Sequence, residues 1–349
     1  MTDKMLVAVH GSYFADNYGD TLLVQLMCDR VAQIVGRDRV YLATEGHRKE
    51  QESIDYPVLP KAQRKQATHL IYGGGGYLGE RTADFFDNLR WSARNYWRHL
   101  AWRREYSNAE TAIIGAGFGP LTNRVLRNSI GRLVSESQVV MFRDQESIQF
   151  ARNYAIRPDG IDQCVDIALG LPIDAAARSG IAIHVDNLSV TEIELVVRCL
   201  SAAHPGLRSI DVLFDNPASL TDEVRSKYSE CARNCAIDLP IRPYVDFRTM
   251  VKSVAEYTLI VTSKLHVGIT CLAQGGSVIS IPTHQKTSRL YKQLSIPNFC
   301  IPRSDLTMES LGAAILDTSD FQLDRQVITT GMSRIDVALQ KFLSPAHRS

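Results

Sequence analysis

The feature that most constrains the fold is the segment of residues 258–282, TLIVTSKLHVGITCLAQGGSVISIP. It opens with a short β-branched, apolar run, which is typical of a buried parallel strand. Thr262 and Ser263 then offer helix N-cap chemistry, apolar residues recur at helical spacing, and Gly275 and Gly276 favour a helix end. A second apolar run follows. Strand, helix and strand in this order predict a parallel βαβ unit, and therefore an α/β domain.

Lys264 and His266 fall in the first turn of that predicted helix, directly after the strand. Ligands of open α/β sheets bind at the carboxyl ends of strands, and the free N–H groups of a helix start favour anions. A cation, an imidazole and helix N–H groups at one point predict a site for phosphate or carboxylate. A packed histidine beside a solvated lysine is the alternative that the sequence leaves open.

Length, charge and cysteine content limit the function classes. The 349 residues are enough for two domains of ordinary size. With 39 basic and 38 acidic residues there is no global field to attract nucleic acid, so no nucleic-acid partner is expected. No apolar run approaches the length of a membrane span. Seven cysteines without paired spacing predict a reducing cytoplasm, and Cys231 and Cys235 lack the second ligand pair of a zinc site.

Strands alternate with helices in both halves of the chain, which predicts two Rossmann-like parallel-sheet domains facing a cleft. The expected domains cover residues 1–172 and residues 180–323, with a linker between them. A C-terminal helix is expected within residues 324–349, and its return to the first domain is one option.

Three motifs of the first half follow predicted strands. Asn17 and Asp20 end a polar loop, where Asp20 either caps a helix or meets a ligand hydroxyl. The four glycines of residues 73–76 let the backbone pass close to a ligand or another segment, but they form neither a Walker loop nor a dinucleotide fingerprint. Arg143 directly follows another strand, and the alternative to ligand binding is a salt bridge to Asp144 or Glu146.

Residues 82–106 are predicted as one long helix with two different faces. The apolar face, which is expected to pack on the core, carries Phe85, Phe86, Leu89, Ala93, Tyr96 and Leu100. The opposite face carries Trp91, Arg94, Arg98 and Trp102. A basic face with tryptophan predicts peripheral contact with the inner face of a membrane, or contact with a sugar. Packing against another helix or subunit is the alternative.

Seven short motifs follow one another over residues 5–297. They are NYGD from Asn17, GGGG from Gly73, GAGFGP from Gly115, Arg143-Asp144 with Ser147, DIAL from Asp166, TSKLH from Thr262, and Lys286 before Tyr291. In this order and spacing the chain resembles the polysaccharide pyruvyl transferase family. Lys264 is the one departure, because the family usually has arginine there; the charge is kept but the planar two-pronged grip is lost.

The resemblance implies a glycosyltransferase-B-like pair of domains. It also implies transfer of pyruvate from phosphoenolpyruvate to a hydroxyl pair of a polysaccharide or its precursor, forming a ketal. The residues expected to bind the donor are Arg143, Lys264, Leu265, His266, Gly74, Gly75 and Lys286. Those expected to act in catalysis are His266, Arg143 and Asp20. Those expected to bind the acceptor, a glycan or a lipid-linked saccharide, are Asn17, Asp20 and Tyr77. Neither a cofactor nor a metal is expected, and a homo-oligomer is an option.

Two other functions stay open at this point. A nucleotide-sugar glycosyltransferase on the same architecture would use Lys264 and the helix start for a diphosphate. A glycan-binding or assembly protein would need no turnover. The fold alone does not choose among the three functions, and the sequence does not decide whether His266 acts as an acid or a base.

Overall fold

The apolar strand runs of the sequence form two separate parallel sheets in the computed structural model. The structure describes residues 5–14, 17–46, 48–79, 85–154, 159–174, 177–321 and 323–344. The chain divides into two units, Met1–Ile167 with Gln326–Ser349, and Ala168–Arg325. The last helix therefore belongs mostly to the first unit. The predicted α/β class with two parallel sheets is confirmed.

The first unit is built on a sheet whose described pairings are all parallel. Its strands are β1 (Val7–His10), β2 (Val40–Leu42), β3 (His69–Tyr72), β4 (Gly75–Leu78), β5 (Glu110–Phe118), β6 (Val139–Phe142) and β7 (Ile161–Gln163). The order is β2-β1-β3-β5-β6-β7, and β4 also pairs with β5. The helices are α1 (Tyr18–Val35), α2 (Arg48–Ser53), α3 (Phe85–His99), α4 (Arg124–Glu136) and α5 (Gln145–Tyr154).

The second unit has a five-stranded parallel sheet of order β10-β9-β8-β11-β12. Its strands are β8 (Ile181–His184), β9 (Asp211–Leu213), β10 (Ile241–Arg242), β11 (Leu259–Thr262) and β12 (Ser277–Ser280). The helices are α6 (Val190–Ala203), α7 (Asp222–Cys235), α8 (Phe247–Ala255), α9 (Leu265–Gln274), α10 (Gln285–Gln293) and α11 (Met308–Asp317). The final helix, α12 (Arg325–Leu343), begins at the last residue of this unit.

The β11–α9–β12 unit forms where the sequence predicts it. Val261 of β11 pairs with Ile183 on one side and Ile279 on the other, so the strand is central and fully buried. Gly275 ends α9 in the left-handed conformation, with φ of 85°. The Arg178 guanidinium donates to the Gly275 carbonyl at 3.1 Å, which places a positive charge at the negative end of the helix dipole.

Helix α3 differs from the prediction in length and in orientation. Residues 82–84 lie outside the described part of the chain, and a separate 3-10 helix, Ala101–Tyr106, follows α3. The N-terminal part of the predicted apolar face is turned to solvent, with Phe86 76% and Leu89 47% exposed, whereas Tyr96 and Leu100 pack on the core of the unit as predicted. The buried side of the helix also carries three polar residues, Ser92, Asn95 and His99.

Hydrogen bonds explain why polar residues of α3 are buried. The Asn95 side-chain amide donates to the Tyr77 carbonyl oxygen at 2.6 Å, and His99 Nδ1 lies 2.9 Å from His10 Nε2. Because these polar atoms are hydrogen-bonded, their burial costs less free energy than the burial of unpaired polar atoms would.

The face that was expected to meet a membrane is only partly exposed in the structure. Trp91 and Trp102 are partly buried against the core of the first unit, and the Trp102 ring stacks on Tyr72 with centroids 6.0 Å apart. Arg94 and Arg98 are exposed. Both tryptophans therefore have packing contacts within their own unit, and membrane contact through this face stays a prediction. Within the described residues, no helix is long and apolar enough to cross a membrane.

Candidate functional site

The turn from β11 into α9 is fixed by its own polar side chains. The Lys264 backbone N–H donates to Thr262 Oγ1 at 3.0 Å, and the Ser263 N–H donates to the His184 carbonyl at 2.8 Å. Lys264, and not Thr262 or Ser263 as predicted, is the residue that precedes the helix. Leu265 and His266 are its first two residues, so their backbone N–H groups belong to the set that lacks intrahelical acceptors.

The Lys264 ammonium lies beside a buried carboxylate. Lys264 Nζ is 3.5 Å from Asp215 Oδ1, and His184 Nε2 is 3.2 Å from the same oxygen. The Lys264 side chain is 36% exposed, whereas the Asp215 side chain is 7% exposed and that of His184 is fully buried. Asp215 therefore holds the Lys264 ammonium near the end of the sheet, while part of the lysine side chain remains exposed to solvent.

The environment of Asp215 keeps it ionised. Burial by itself raises the pKa of this carboxyl, but the neighbouring His184 and Lys264 outweigh burial and hold the pKa well below its usual range. The carboxylate is thus a permanent partner for Lys264 over the ordinary pH range.

His184 and Asp215 were not predicted from the sequence. His184 is the last residue of β8, and Asp215 follows the end of β9 by two residues. The position after a strand, which identified Lys264, is the signal that could have identified them. In the sheet, β8 lies next to β11, and β9 lies on the other side of β8.

The other predicted residues of the second unit come from the same edge of its sheet. His266 is partly exposed in the first turn of α9. Lys286 is exposed in the first turn of α10, which follows β12, the strand next to β11. This edge therefore offers two ammonium groups, a helix N-terminus and a half-buried imidazole, a set that can hold an anion and move a proton.

Arg143 of the first unit is held by an acid other than those expected. Its Nη1 donates to Asp166 Oδ2 at 2.8 Å, and both side chains are buried. Asp144 instead accepts hydrogen bonds from the Ser147 N–H and hydroxyl, both at 2.8 Å, at the start of α5. The guanidinium lies against the backbone of Gly117, where an added Cβ would be 3.0 Å from Nη2.

Two positions of the glycine run require glycine for different reasons: one for its backbone conformation, and the other because there is little space for a side chain. Gly75 has φ of 125°, a conformation that L residues rarely adopt. A Cβ at Gly74 would lie 3.2 Å from Leu23 Cδ1 of α1, so close packing inside the first unit accounts for this glycine. Tyr77 is 3% exposed, and its hydroxyl donates to the Gly73 carbonyl at 2.7 Å. Its polar group is therefore already used inside the unit.

Asn17, and not Asp20, caps α1. Asn17 Oδ1 accepts from the Gly19 N–H at 3.0 Å. Asp20 is partly exposed in the first turn. The first-unit candidates Asn17, Asp20 and Arg143 all follow the carboxyl ends of strands of one parallel sheet, so they come from one edge of that sheet. Among the described residues, no group of three His, Cys, Asp or Glu side chains is placed to hold a metal ion.

A sequence model of the family described as polysaccharide pyruvyl transferase matches residues 17–285 of this chain, which is most of its length. The chain belongs to the polysaccharide pyruvyl transferase family. Its family is thus one of transferases, and the match includes Asp20, Arg143 and the whole Lys264–His266 segment. No curated protein matches this pyruvyl transferase family member.

Solved structures of low sequence identity share its fold. The UDP-GlcNAc 2-epimerase from Neisseria meningitidis, bound to UDP-GlcNAc, is 10% identical, with 97% of this chain and 100% of that chain covered and a TM-score of 0.59. A putative UDP-N-acetylglucosamine 2-epimerase from Listeria monocytogenes is also 10% identical, with 97% and 95% covered and a TM-score of 0.58. MurG from Acinetobacter baumannii is 11% identical, with 97% and 95% covered and a TM-score of 0.50. At such identities the likeness shows the fold alone, and it confirms the glycosyltransferase-B-like class.

Proposed function

We propose that this protein transfers pyruvate from phosphoenolpyruvate to a hydroxyl pair of a polysaccharide or its precursor. The products are a pyruvyl ketal and phosphate. The observation that carries the proposal is the start of α9, where the Lys264 ammonium, 3.5 Å from Asp215, adjoins the positive end of the helix dipole at Leu265 and His266. Such a place suits the phosphate or the carboxylate of the donor, and the chain belongs to a pyruvyl transferase family.

In this proposal the anionic groups of the donor meet several cations and N–H donors. Lys264 and Lys286 supply point charges, the α9 start supplies N–H groups, and Arg143 supplies a guanidinium. Gly75, which has φ of 125°, contributes backbone contact together with Gly74. Tyr77 is left out because its ring and hydroxyl are buried within its own unit.

The chemistry needs one acid and one base. His266 donates a proton to the methylene carbon of phosphoenolpyruvate, and cationic character develops at the carbon that carries the phosphate. One acceptor hydroxyl attacks that carbon and gives up its proton, which Asp20 accepts while Asn17 contacts the sugar. The carbon–oxygen bond to phosphate then breaks, and the second hydroxyl attacks and loses its proton to the departing phosphate. A phosphate beside His266 favours the imidazolium form that this role requires.

The test offers the purified protein an acceptor glycan with either phosphoenolpyruvate or a UDP-sugar. Phosphate release that depends on acceptor, with a product heavier by one pyruvyl group, supports the proposal. His266→Ala should lower that turnover by about two to four orders of magnitude, the usual contribution of general acid–base catalysis. His204→Ala, which removes an exposed histidine at the end of α6, is the matched control and should leave turnover unchanged. Wild-type turnover in a folded His266→Ala protein would reject the role of His266.

A nucleotide-sugar glycosyltransferase is the second candidate. It is favoured by the Neisseria meningitidis enzyme of the same fold, which is bound to UDP-GlcNAc. Release of UDP in the same assay, with no phosphate from phosphoenolpyruvate, would select it. Absence of turnover with either donor would leave a glycan-binding or assembly role.

The proposed acceptor is a glycan or a lipid-linked saccharide. Since phosphoenolpyruvate is a metabolite of the cytoplasm, the proposal places the reaction there. Neither a metal nor another cofactor has a step in this scheme.

A further inference from the structure

Helix α3 presents large apolar side chains and arginines together on its solvent side. Phe86 is 76% exposed, Leu89 47% and Trp97 71%. Arg90 and Arg94 are exposed as well, and at 100° per residue they lie beside these apolar residues. We call Phe86, Leu89, Arg90, Arg94 and Trp97 the aromatic–basic face.

The packing of α3 does not account for this face. The helix is attached to its unit by its opposite, polar side, where Asn95 and His99 make buried hydrogen bonds. Three large apolar side chains therefore stay in water on one helix. An exposed apolar patch bordered by charged residues marks an interaction surface more often than a scattered single residue does.

Positive charge is concentrated in the same part of the chain. Helix α3 itself contains three arginines and one acidic residue, Asp87, a net charge of +2, whereas the complete chain carries only +1. The rest of the protein is thus slightly acidic, and the field around α3 is locally positive. This local field favours an anionic partner surface.

We propose that the aromatic–basic face binds the surface of an anionic lipid bilayer. Aromatic rings and leucine enter the headgroup region, where amphipathic rings are most stable, and the arginines remain at the level of the lipid phosphates. An acidic protein surface is the alternative partner for the arginines of this face. However, apolar side chains that protrude from a convex helix need a groove of matching shape on a protein, whereas a bilayer accepts them without one. The inference is independent of the donor and of the reaction.

The apolar part of the face is tested with sedimentation on vesicles of phosphatidylcholine, with and without phosphatidylglycerol. Wild type should sediment with the anionic vesicles only. Phe86→Ser/Trp97→Ser should lower partitioning by about tenfold or more for each ring that no longer enters the lipid. The matched control is Val245→Ser/Leu316→Ser, at two residues of the second unit that are 69% and 66% exposed, and it should bind like wild type.

The basic part of the face is tested in the same assay. Arg90→Gln/Arg94→Gln should lower binding by about fivefold for each arginine. Arg225→Gln/Arg233→Gln, which removes the same charge from exposed positions of α7, should have little effect. High salt should weaken wild-type binding, because the ionic part of the attraction is screened.

Fluorescence locates the contact. Anionic vesicles should shift the emission of the wild-type protein to shorter wavelength as Trp97 leaves water, and Trp97→Phe should lose the shift while it keeps binding. The proposal is overturned if wild type ignores anionic vesicles, or if the face variants bind as wild type does. Equal losses in the control variants would also overturn it. Self-association that depends on the face, without vesicle binding, would replace the bilayer by a second copy of the chain.

Discussion

Gly117 offers a way to move the Arg143 guanidinium without removing its charge. Gly117 lies in β5, and a Cβ built there would be 3.0 Å from Arg143 Nη2, 3.1 Å from Nε and 3.4 Å from Cζ. The backbone is not in the left-handed region, so alanine adds only this contact. Gly117→Ala should therefore push the guanidinium away by a few tenths of an ångström.

The size of the effect follows from what holds the guanidinium on its other side. Nη1 donates to Asp166 Oδ2 at 2.8 Å, so a shift must strain a buried, charge-assisted bond of about 1.5–3 kcal/mol. Losing part of it should lower the free energy of unfolding by about 1 kcal/mol. If Arg143 holds the donor, a misplacement of this size should raise the KM for phosphoenolpyruvate by about fourfold, since 1 Å can cost about a hundredfold.

The assay measures phosphate release over a range of phosphoenolpyruvate concentrations at saturating acceptor, beside thermal unfolding of each protein. Gly76→Ala is the matched control, because its Cβ would lie 3.9 Å from the same Nη2, an ordinary contact, at an exposed position. A wild-type KM in a folded Gly117→Ala protein would refute donor binding by Arg143. Equal changes in Gly76→Ala would refute the steric reasoning.

Three further predictions concern stability. Gly331→Ala in α12 should lower the free energy of unfolding by about 1–3 kcal/mol, because its Cβ would come 2.3 Å from Val165 Cγ1. Gly312→Ala in α11, with no atom within 4 Å of its Cβ, should raise it by up to about 1 kcal/mol in the same thermal melts. Burial lowers the pKa of His10 well below its ordinary value and that of His99 to about 3. The unfolded chain therefore binds protons first as pH falls below about 6.5, so urea unfolding should show stability lost from there towards pH 4, and less steeply in His99→Gln.

The sequence predicts the β11–α9–β12 unit well because its signals are local. A short apolar run, a helical repeat and a glycine in the left-handed conformation each depend on neighbouring residues only. The turn that carries Lys264 and His266 was therefore placed correctly at the carboxyl end of a strand. Its hydrogen bonds were less predictable, since Thr262 accepts from the backbone without serving as the residue before the helix.

The partners of the candidate site were not predictable from spacing. Asp215 lies 49 residues before Lys264, and Asp166 lies 23 residues after Arg143. These pairs meet because of strand order in the sheets, which brings β8 next to both β9 and β11. A periodic pattern predicts helices and strands but not the order of the strands in a sheet. The pairing of Asp215 with Lys264 and of Asp166 with Arg143 is therefore seen only in the structure.

Helix α3 shows what an amphipathic pattern does not predict. Periodicity measures how different two faces are, but it does not say which face is buried. The polar face can turn inward when its groups find partners, as Asn95 does on the Tyr77 carbonyl at 2.6 Å. Phe86 and Trp97 then stay 76% and 71% exposed, although full burial of a large ring contributes about 1.5–3 kcal/mol. Exposed rings of this kind, next to exposed Arg94, are what a surface that acts by contact with lipid should display.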